Sequence, residues 1–229
     1  MEALNLTAPS FIHDVVLPRL AAVSLRPVRA FGLPRAWMGR LAAERAYDAA
    51  VTVGRDASFP DSWLAIHVGE LRHALFAAPT VAARLGPLPS VDAIRATPFV
   101  AATFLGPDGA LVEGDDRCPL PRSERIIGHE VETMRLAVQV AAETEHLAYG
   151  PTSAAAWLLA EGRLVEVNVP GWAQSDPLYL AWNPDAVSAD VQGVLAATIR
   201  AAFREMPHSS GIVPIFDAFD EGRAATKIA

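Results

Sequence analysis

The chain has 229 residues, enough for one large domain or two small α/β lobes whose core needs neither disulfides nor metals. Hydrophobic residues make up 52% and charged residues 20%, which excludes a disordered chain. The net charge of −7, from 19 basic and 26 acidic residues, argues against this polypeptide gripping a polyphosphate backbone unaided.

The first fifty residues read as strand, helix, strand, helix, strand. Residues 3–8 alternate as a short strand, and Ser10 stands where an N-cap would, ahead of Phe11, Ile12, Val15, Val16, Leu17 and Leu20 at helical spacing. Pro18 is expected to bend that helix. Residues 28–31 form a second strand, Gly32 a turn, and Pro34 the first position of a helix carrying Met38, Leu41 and Ala42 on its apolar side. Residues 48–53 close the unit as a buried strand. Strands alternating with helices imply parallel pairing through right-handed crossovers.

Residues 63–78 then make an extended run ending at Pro79, long enough to cross between lobes. Beyond it the pattern restarts with a short helix at 81–85, a strand near 99–104, a Gly-Pro-Asp-Gly turn at 106–109 and a strand at 125–128. A helix follows with Val131, Met134, Val138, Ala141 and Ala142 on one face, and Glu130 and Glu132 read as its first-turn carboxylates. Residues 147–149 make a short strand, Pro151 opens a helix that Gly162 ends, and residues 163–169 form the next strand. After Pro170 and Gly171, residues 178–182 look like a second crossing strand. Ser188 then caps a helix with Val191, Val194, Leu195, Thr198, Ile199, Ala202 and Phe203 on its apolar face. From Pro207 the pattern lapses into a tail holding the only lysine, Lys227.

Catalytic and metal motifs are missing: GxSxG, HExxH, paired CxxC, GxGxxG and the P-loop do not occur. His13, His67, His73, His129, His146 and His208 include no pair three or four residues apart, so no metal site is nominated. Ser10, His13 and Asp14 read as the start of a helix rather than as a triad. The single Cys118 follows Asp115, Asp116 and Arg117 in a polar stretch and reads as incidental. No apolar run reaches membrane-spanning length free of charges, and the N-terminus shows no leader pattern, so a cytoplasmic setting is expected.

What remains is a set of strand-to-helix turns, at 8–10, 32–34, 128–130 and 150–153. In parallel α/β lobes such turns lie at the carboxyl ends of strands, where helix N-termini present free N–H groups and partial positive charge. They can cradle a small anion. Arg35 and Arg72 are further candidates to pair with a carboxylate, and Trp37, Trp157 and Phe104 could wall an apolar pocket.

The order of these pieces resembles the effector-binding domain of LysR-type transcriptional regulators over residues 3–205. Leu17 and Pro18 in the first helix, and the run from Tyr47 and Asp48 through Ala49, Ala50, Val51, Thr52 and Val53 to Gly54, carry its strongest part. Residues 71–79 are similar to the family's first crossover, residues 159–165 to its helix end, Gly turn and Leu-Val strand, and residues 178–182 to its returning strand. The resemblance implies an α/β fold of two Rossmann-like lobes joined by two crossover strands, as in type 2 periplasmic binding proteins. Subdomain I would combine residues 1–76 with 177–205, subdomain II would be 77–176, and the tail 206–229 is unassigned. It also implies an effector held between the lobes, which the helix starts above make small and anionic. The positions carried over for that effector are Pro9, Ser10 and Phe11, then Leu33 and Pro34, then Thr103 and Phe104, and finally His129, Thr133, Pro151 and Thr152. No catalytic residue, metal or cofactor is implied.

Further expectations from the family are a homodimer using the first and closing helices, a tetramer in a full-length parent, and DNA contact only through a helix-turn-helix preceding this chain. The alternatives on the same scaffold are a transporter's solute-binding protein, which needs an export signal, and an enzyme such as porphobilinogen deaminase, which needs a cofactor-bearing cysteine in another context than that of Cys118.

Overall fold

The computed structural model describes residues 3–24, 26–54, 58–105, 110–113, 116–204 and 226–227. In chain order the elements are β1 (Leu4–Thr7), α1 (Ser10–Val23), β2 (Val28–Phe31), α2 (Arg35–Ala43), β3 (Ala49–Val53), β4 (Leu64–Ala77), α3 (Pro79–Leu85), α4 (Val91–Arg95) and β5 (Phe99–Leu105). They continue with β6 (Leu111–Glu113), a single 3-10 turn (Arg122–Glu124), β7 (Ile127–Val131), α5 (Met134–Glu143), β8 (Leu147–Pro151), α6 (Thr152–Ala160), β9 (Val165–Val167), β10 (Gln174–Trp182), α7 (Ala189–Arg204) and β11 (Thr226–Lys227).

The chain forms two compact units, Met1–Glu70 with Asp176–Ala229, and Leu71–Ser175. Both passages of the chain from one unit to the other run inside a strand, β4 and then β10. The sequence sets the first boundary at 76, the apolar end of β4, six residues after the division at Glu70.

In the first unit β1 is central, with β2 and β3 parallel to it and β10 antiparallel to β3. β11 lies antiparallel to the start of β4, with Thr226 opposite Ala65. The parallel pairing follows from the two helical crossovers α1 and α2. One core gathers Met38, Ala42, Tyr47, Phe59, Trp63 and Ala181, with Trp63 stacked on Phe59 at 5.1 Å and edge-on to Tyr47 at 5.3 Å. The Tyr47 hydroxyl donates to the Met38 carbonyl at 2.7 Å, satisfying the polar tip of a buried ring. Helix α1 buries Ile12, Val16 and Leu20, and α7 buries Leu195, Ala196, Ile199, Ala202 and Phe203. The two helices pack on each other within this unit, while Val194, expected on the apolar face of α7, stays exposed.

The second unit has the order β9-β4-β8-β5-β7. β8 and β7 are parallel to β5, β4 is antiparallel to β8, and β9 is antiparallel to β4. β6 folds back on the end of β5, pairing Thr103 with Glu113. Its core holds Leu75, Val81, Ile94, Phe99, Leu120, Leu147, Tyr149 and Trp172. The buried Arg125 guanidinium makes a two-pronged pair with Asp116, at 2.5 and 3.1 Å, and lies 5.4 Å from the Phe99 ring. This pair pins the loop that carries Cys118 to the core. Breaking a pair of this kind leaves an uncompensated buried charge.

Several helix starts differ from the sequence reading. Ser10 and Pro34 are not the N-cap and first helical residue respectively: Pro9 and Pro34 are the N-caps, and Ser10 and Arg35 begin the helices. The strand expected at 125–128 is shifted toward the C-terminus, starting at Ile127 and running through His129 and Glu130 to Val131, which is therefore not on the helix face, and α5 begins at Met134 behind Thr133. Glu130 and Glu132 are therefore not first-turn carboxylates. Parallel pairing with β5 holds a polar segment extended against its local preference. The turn expected at 106–109 lies outside the described residues, as does most of the tail.

Candidate functional site

In the first unit the carboxyl ends of the adjacent parallel strands β1 and β2 lie level, with Thr7 opposite Phe31. Each strand runs through a proline into a helix, β1 through Ala8 and Pro9 into α1, β2 through Gly32, Leu33 and Pro34 into α2. Pro9 and Pro34 have extended ψ angles of 145° and 135°, and neither offers a side-chain acceptor to the helix behind it. The Pro9 carbonyl accepts from Ile12 and His13, and the Pro34 carbonyl from Trp37. That leaves the N–H groups of Ser10, Phe11 and Ala36 to external acceptors, at the positive end of a helix dipole. Ser10 and Pro34 are exposed, while Pro9, Phe11 and Leu33 are half-buried. Thr7, which the sequence reading passed over, is 1% exposed, and its Oγ1 has no hydrogen-bond partner among the described residues.

In the second unit the same motif, a strand running through an N-cap proline into a helix, recurs at α6. β8 ends in Gly150 and Pro151, Pro151 is the N-cap of α6 without a side-chain hydrogen bond, and Thr152 begins the helix. A Cβ on Gly150 would stand 2.3 Å from Met134 Cε, so only glycine leaves that methionine in place beneath the turn. Thr152 is buried and its hydroxyl donates to the Arg72 carbonyl at 3.2 Å. Ser153, the last residue of the expected 150–153 turn but not among the positions carried over for the effector, is 3% exposed, and its Oγ is buried with no partner among the described residues. A serine in the second position after a strand-ending proline was the available signal.

The other expected positions separate. Thr133 caps α5, accepting from the Leu136 N–H at 3.2 Å. Buried Thr103, at the end of β5, donates to Glu130 Oε1 at 3.1 Å, and Arg122 holds the same carboxylate while its Nε reaches Glu113 at 3.3 Å. The Phe104 side chain is outside the described residues. His129 is not at a turn: it lies inside β7, its ring centre 4.7 Å from that of His146. The strand-to-helix turn of β7 is Glu132 and Thr133 instead.

Arg72 is already committed, bidentate to Glu166 at 2.7 and 2.5 Å, so it presents no open fork to a carboxylate. Trp157 is roofed by Arg163 at 5.5 Å and Trp37 approached by Arg40 at 6.0 Å, which makes both half-buried rings cation-π platforms. Burial pushes the Cys118 thiol up to about 11, against the pull of Arg125, so its reactive thiolate is scarce at neutral pH. Among the described residues no three His, Cys, Asp or Glu side chains form a group able to hold a metal ion, and no helix is long and apolar enough to cross a membrane.

Two α/β units, joined by two strand passages and carrying open helix starts at the ends of parallel strands, make up a small-molecule-binding domain of the type 2 periplasmic-binding-protein fold. The LysR substrate-binding-domain family model matches residues 5–203, and the chain belongs to that family: it is the effector-binding domain of a LysR-type transcription regulator, not an enzyme. Solved structures agree on the fold. The C-terminal domains of a LysR family protein from Agrobacterium tumefaciens are 19% identical with a TM-score of 0.61, over 89% of this chain and 97% of that one. The CrgA regulatory domain from Neisseria meningitidis is 14% identical with a TM-score of 0.66, over 88% and 99%. Full-length LysG from Corynebacterium glutamicum, solved with bound effector Arg, is 15% identical with a TM-score of 0.59, over 88% and 68%. The curated proteins compared with the chain show no match to it.

Proposed function

We propose that this domain senses a small metabolite through an anionic group, a carboxylate above all, received by the helix starts behind Pro9, Pro34 and Pro151. The observation that carries the reading is that all three helices open without a side-chain cap and with N–H groups at their first positions, whereas α4 and α5 are closed by Ser90 and Thr133 and α3, also uncapped, begins with Pro79, which has no N–H to offer. Open N–H groups at a dipole's positive end attract an anion. Arg72 is spent on Glu166, which favours a singly charged carboxylate over a dianion that needs a cation beside it. The Arg bound to LysG has a carboxylate of this kind. Pro9, Ser10, Phe11, Leu33 and Pro34 would receive the ligand in the first unit, and Thr103, Pro151 and Thr152 in the second.

One ligand engaging both sets would bias lobe closure, and a homodimer, or a tetramer in a longer parent, would pass that bias to a preceding DNA-binding segment in the cytoplasm. The test is a thermal-shift screen of small carboxylates. A ligand at a hundred times its dissociation constant should stabilise by about 2.7 kcal/mol. Ser10→Pro, which removes the first N–H of α1 at a helix position that tolerates proline, should weaken the shift, and an undiminished response would place the ligand elsewhere.

A further inference from the structure

The strand β7 changes register against β5 at Gly128: Phe99 faces Ile127, but Val100 already faces His129. One extra residue in a strand re-aims the side chains that follow it. A Cβ on Gly128 would stand 2.3 Å from His146 Nε2 and 2.6 Å from its Cδ2. The glycine is thus a notch for this imidazole. His129, the next residue, brings its ring centre to 4.7 Å from that of His146 at an interplanar angle of 37°. His146 immediately precedes β8, which pairs with the opposite edge of β5. Two imidazoles from strands on either side of β5 therefore meet over its beginning.

The hydrogen bonds fix the tautomer. Thr144 Oγ1 has a single proton and donates it to the Val140 carbonyl at 2.7 Å, so towards His146 Nδ1, at 2.9 Å, it can only accept. Neutral His146 therefore carries its lone pair on Nε2, the atom in the notch beside His129. The other charges nearby are occupied: Glu145 pairs with Arg84 of α3, and Glu130 with Arg122. His129 is the titratable group that faces His146, and it also lines an open groove of about 530 Å³ with Arg122, Ser123 and Glu113, so protons reach it from solvent.

We infer that His129 and His146 form a proton-operated latch on β7, closed when both rings are neutral and packed over Gly128, and opened when the pair takes up protons. Two imidazolium rings at this separation repel, and the side chain nearest the Gly128 notch besides this imidazole is Pro98, which offers a protonated Nε2 no acceptor. Burial and the neighbouring His129 already hold His146 below the ordinary histidine range, in the direction this geometry requires. Opening would reach Thr133, two residues past the end of β7. The latch uses none of the residues proposed above to receive the effector, although Thr103 of that set is bonded to Glu130 of β7.

The test is amide hydrogen exchange on the full chain at about pH 7.5 and about pH 5, on either side of the histidine range, corrected for intrinsic rates. It is joined to an NMR titration of the histidine ring protons. Acidification should strip protection from the 127–131 amides roughly tenfold more than from β1, the equivalent of one unit of differential protonation. His129→Gln should remove that excess and raise the His146 midpoint towards its ordinary value; His146→Gln should also remove the excess. Equal acid sensitivity of β7 in the wild type and both variants, or a His146 midpoint unmoved by His129→Gln, would overturn the latch.

Discussion

Helices α1, α2 and α6 begin behind prolines, whereas α4 and α5 begin behind Ser90 and Thr133. In the second group the chain consumes its own orphan donors: Ser90 Oγ takes the Ala93 N–H and Thr133 Oγ1 the Leu136 N–H, both at 3.2 Å. In the first group the N-cap residue has no acceptor to give. Helix starts normally favour Ser, Thr, Asp or Asn because the cap stabilises by about 1 kcal/mol. Helix α3 forgoes it too, but Pro79 at its start removes a donor; α1, α2 and α6, at the carboxyl ends of parallel strands, keep theirs in reserve. The same logic covers Thr7 and Ser153, buried hydroxyls without partners among the described residues: polar groups that weaken the free protein are ones a ligand can satisfy.

The sharpest way to break this contrast is to delete one hydroxyl from each group. Thr133→Ala should cost about 1 kcal/mol of stability through its lost cap and leave ligand-induced stabilisation intact. Ser153→Ala should go the other way, raising stability by as much as about 1 kcal/mol, because it removes a buried polar atom that has no bond to lose, while reducing the ligand response. Urea unfolding with and without ligand measures both. Two changes of the same sign would erase the distinction between spent and reserved hydroxyls.

A smaller effect should follow from converting one kind of start into the other. Pro9→Ser adds an acceptor worth about 1 kcal/mol but frees the unfolded chain that proline restrained, a loss of about 0.4–1 kcal/mol. Net stability should therefore stay within a few tenths of a kcal/mol. Ligand affinity should still fall, because the new hydroxyl competes for the N–H groups an anion would use. Calorimetric titration showing unchanged affinity would mean that the α1 start is not a binding element.

This distinction was only half legible in the sequence. Apolar runs locate β1 to β4, and β2 has the ends the sequence predicts, with Gly32 closing it. The prolines were seen, but whether a proline is an N-cap or the first helical residue depends on ψ, which its ring does not fix. Ser10 was credited with the cap on propensity, while the ψ of 145° at Pro9 gives the position to the proline. The β7 segment was misplaced for a different reason. Glu130 and Glu132 have helix-start chemistry, and only pairing with β5, thirty residues earlier in the chain, makes them strand and turn. Helix α4, of five residues, was missed because so short a run shows no period.

The subtlest consequence of an open α1 start is a proton count. His13 lies on the first turn of α1; burial holds it below its ordinary value of 6.5, partly offset by Asp14, and its Nε2 is buried without a partner among the described residues. A histidine lowered in the folded state binds fewer protons there than in the unfolded chain. Its contribution to stability is therefore undiminished above about pH 6.5 and is lost as the pH falls below that value. An anion at the Ser10 and Phe11 N–H groups would add negative charge one turn away and push His13 back up. Binding should then take up a fraction of a proton near pH 6, detected as a binding enthalpy that differs between buffers of different ionisation enthalpy. The uptake should disappear in His13→Gln. Buffer-independent enthalpy in the wild-type protein would mean that the ligand's charge is received by α2 or α6 and not by α1.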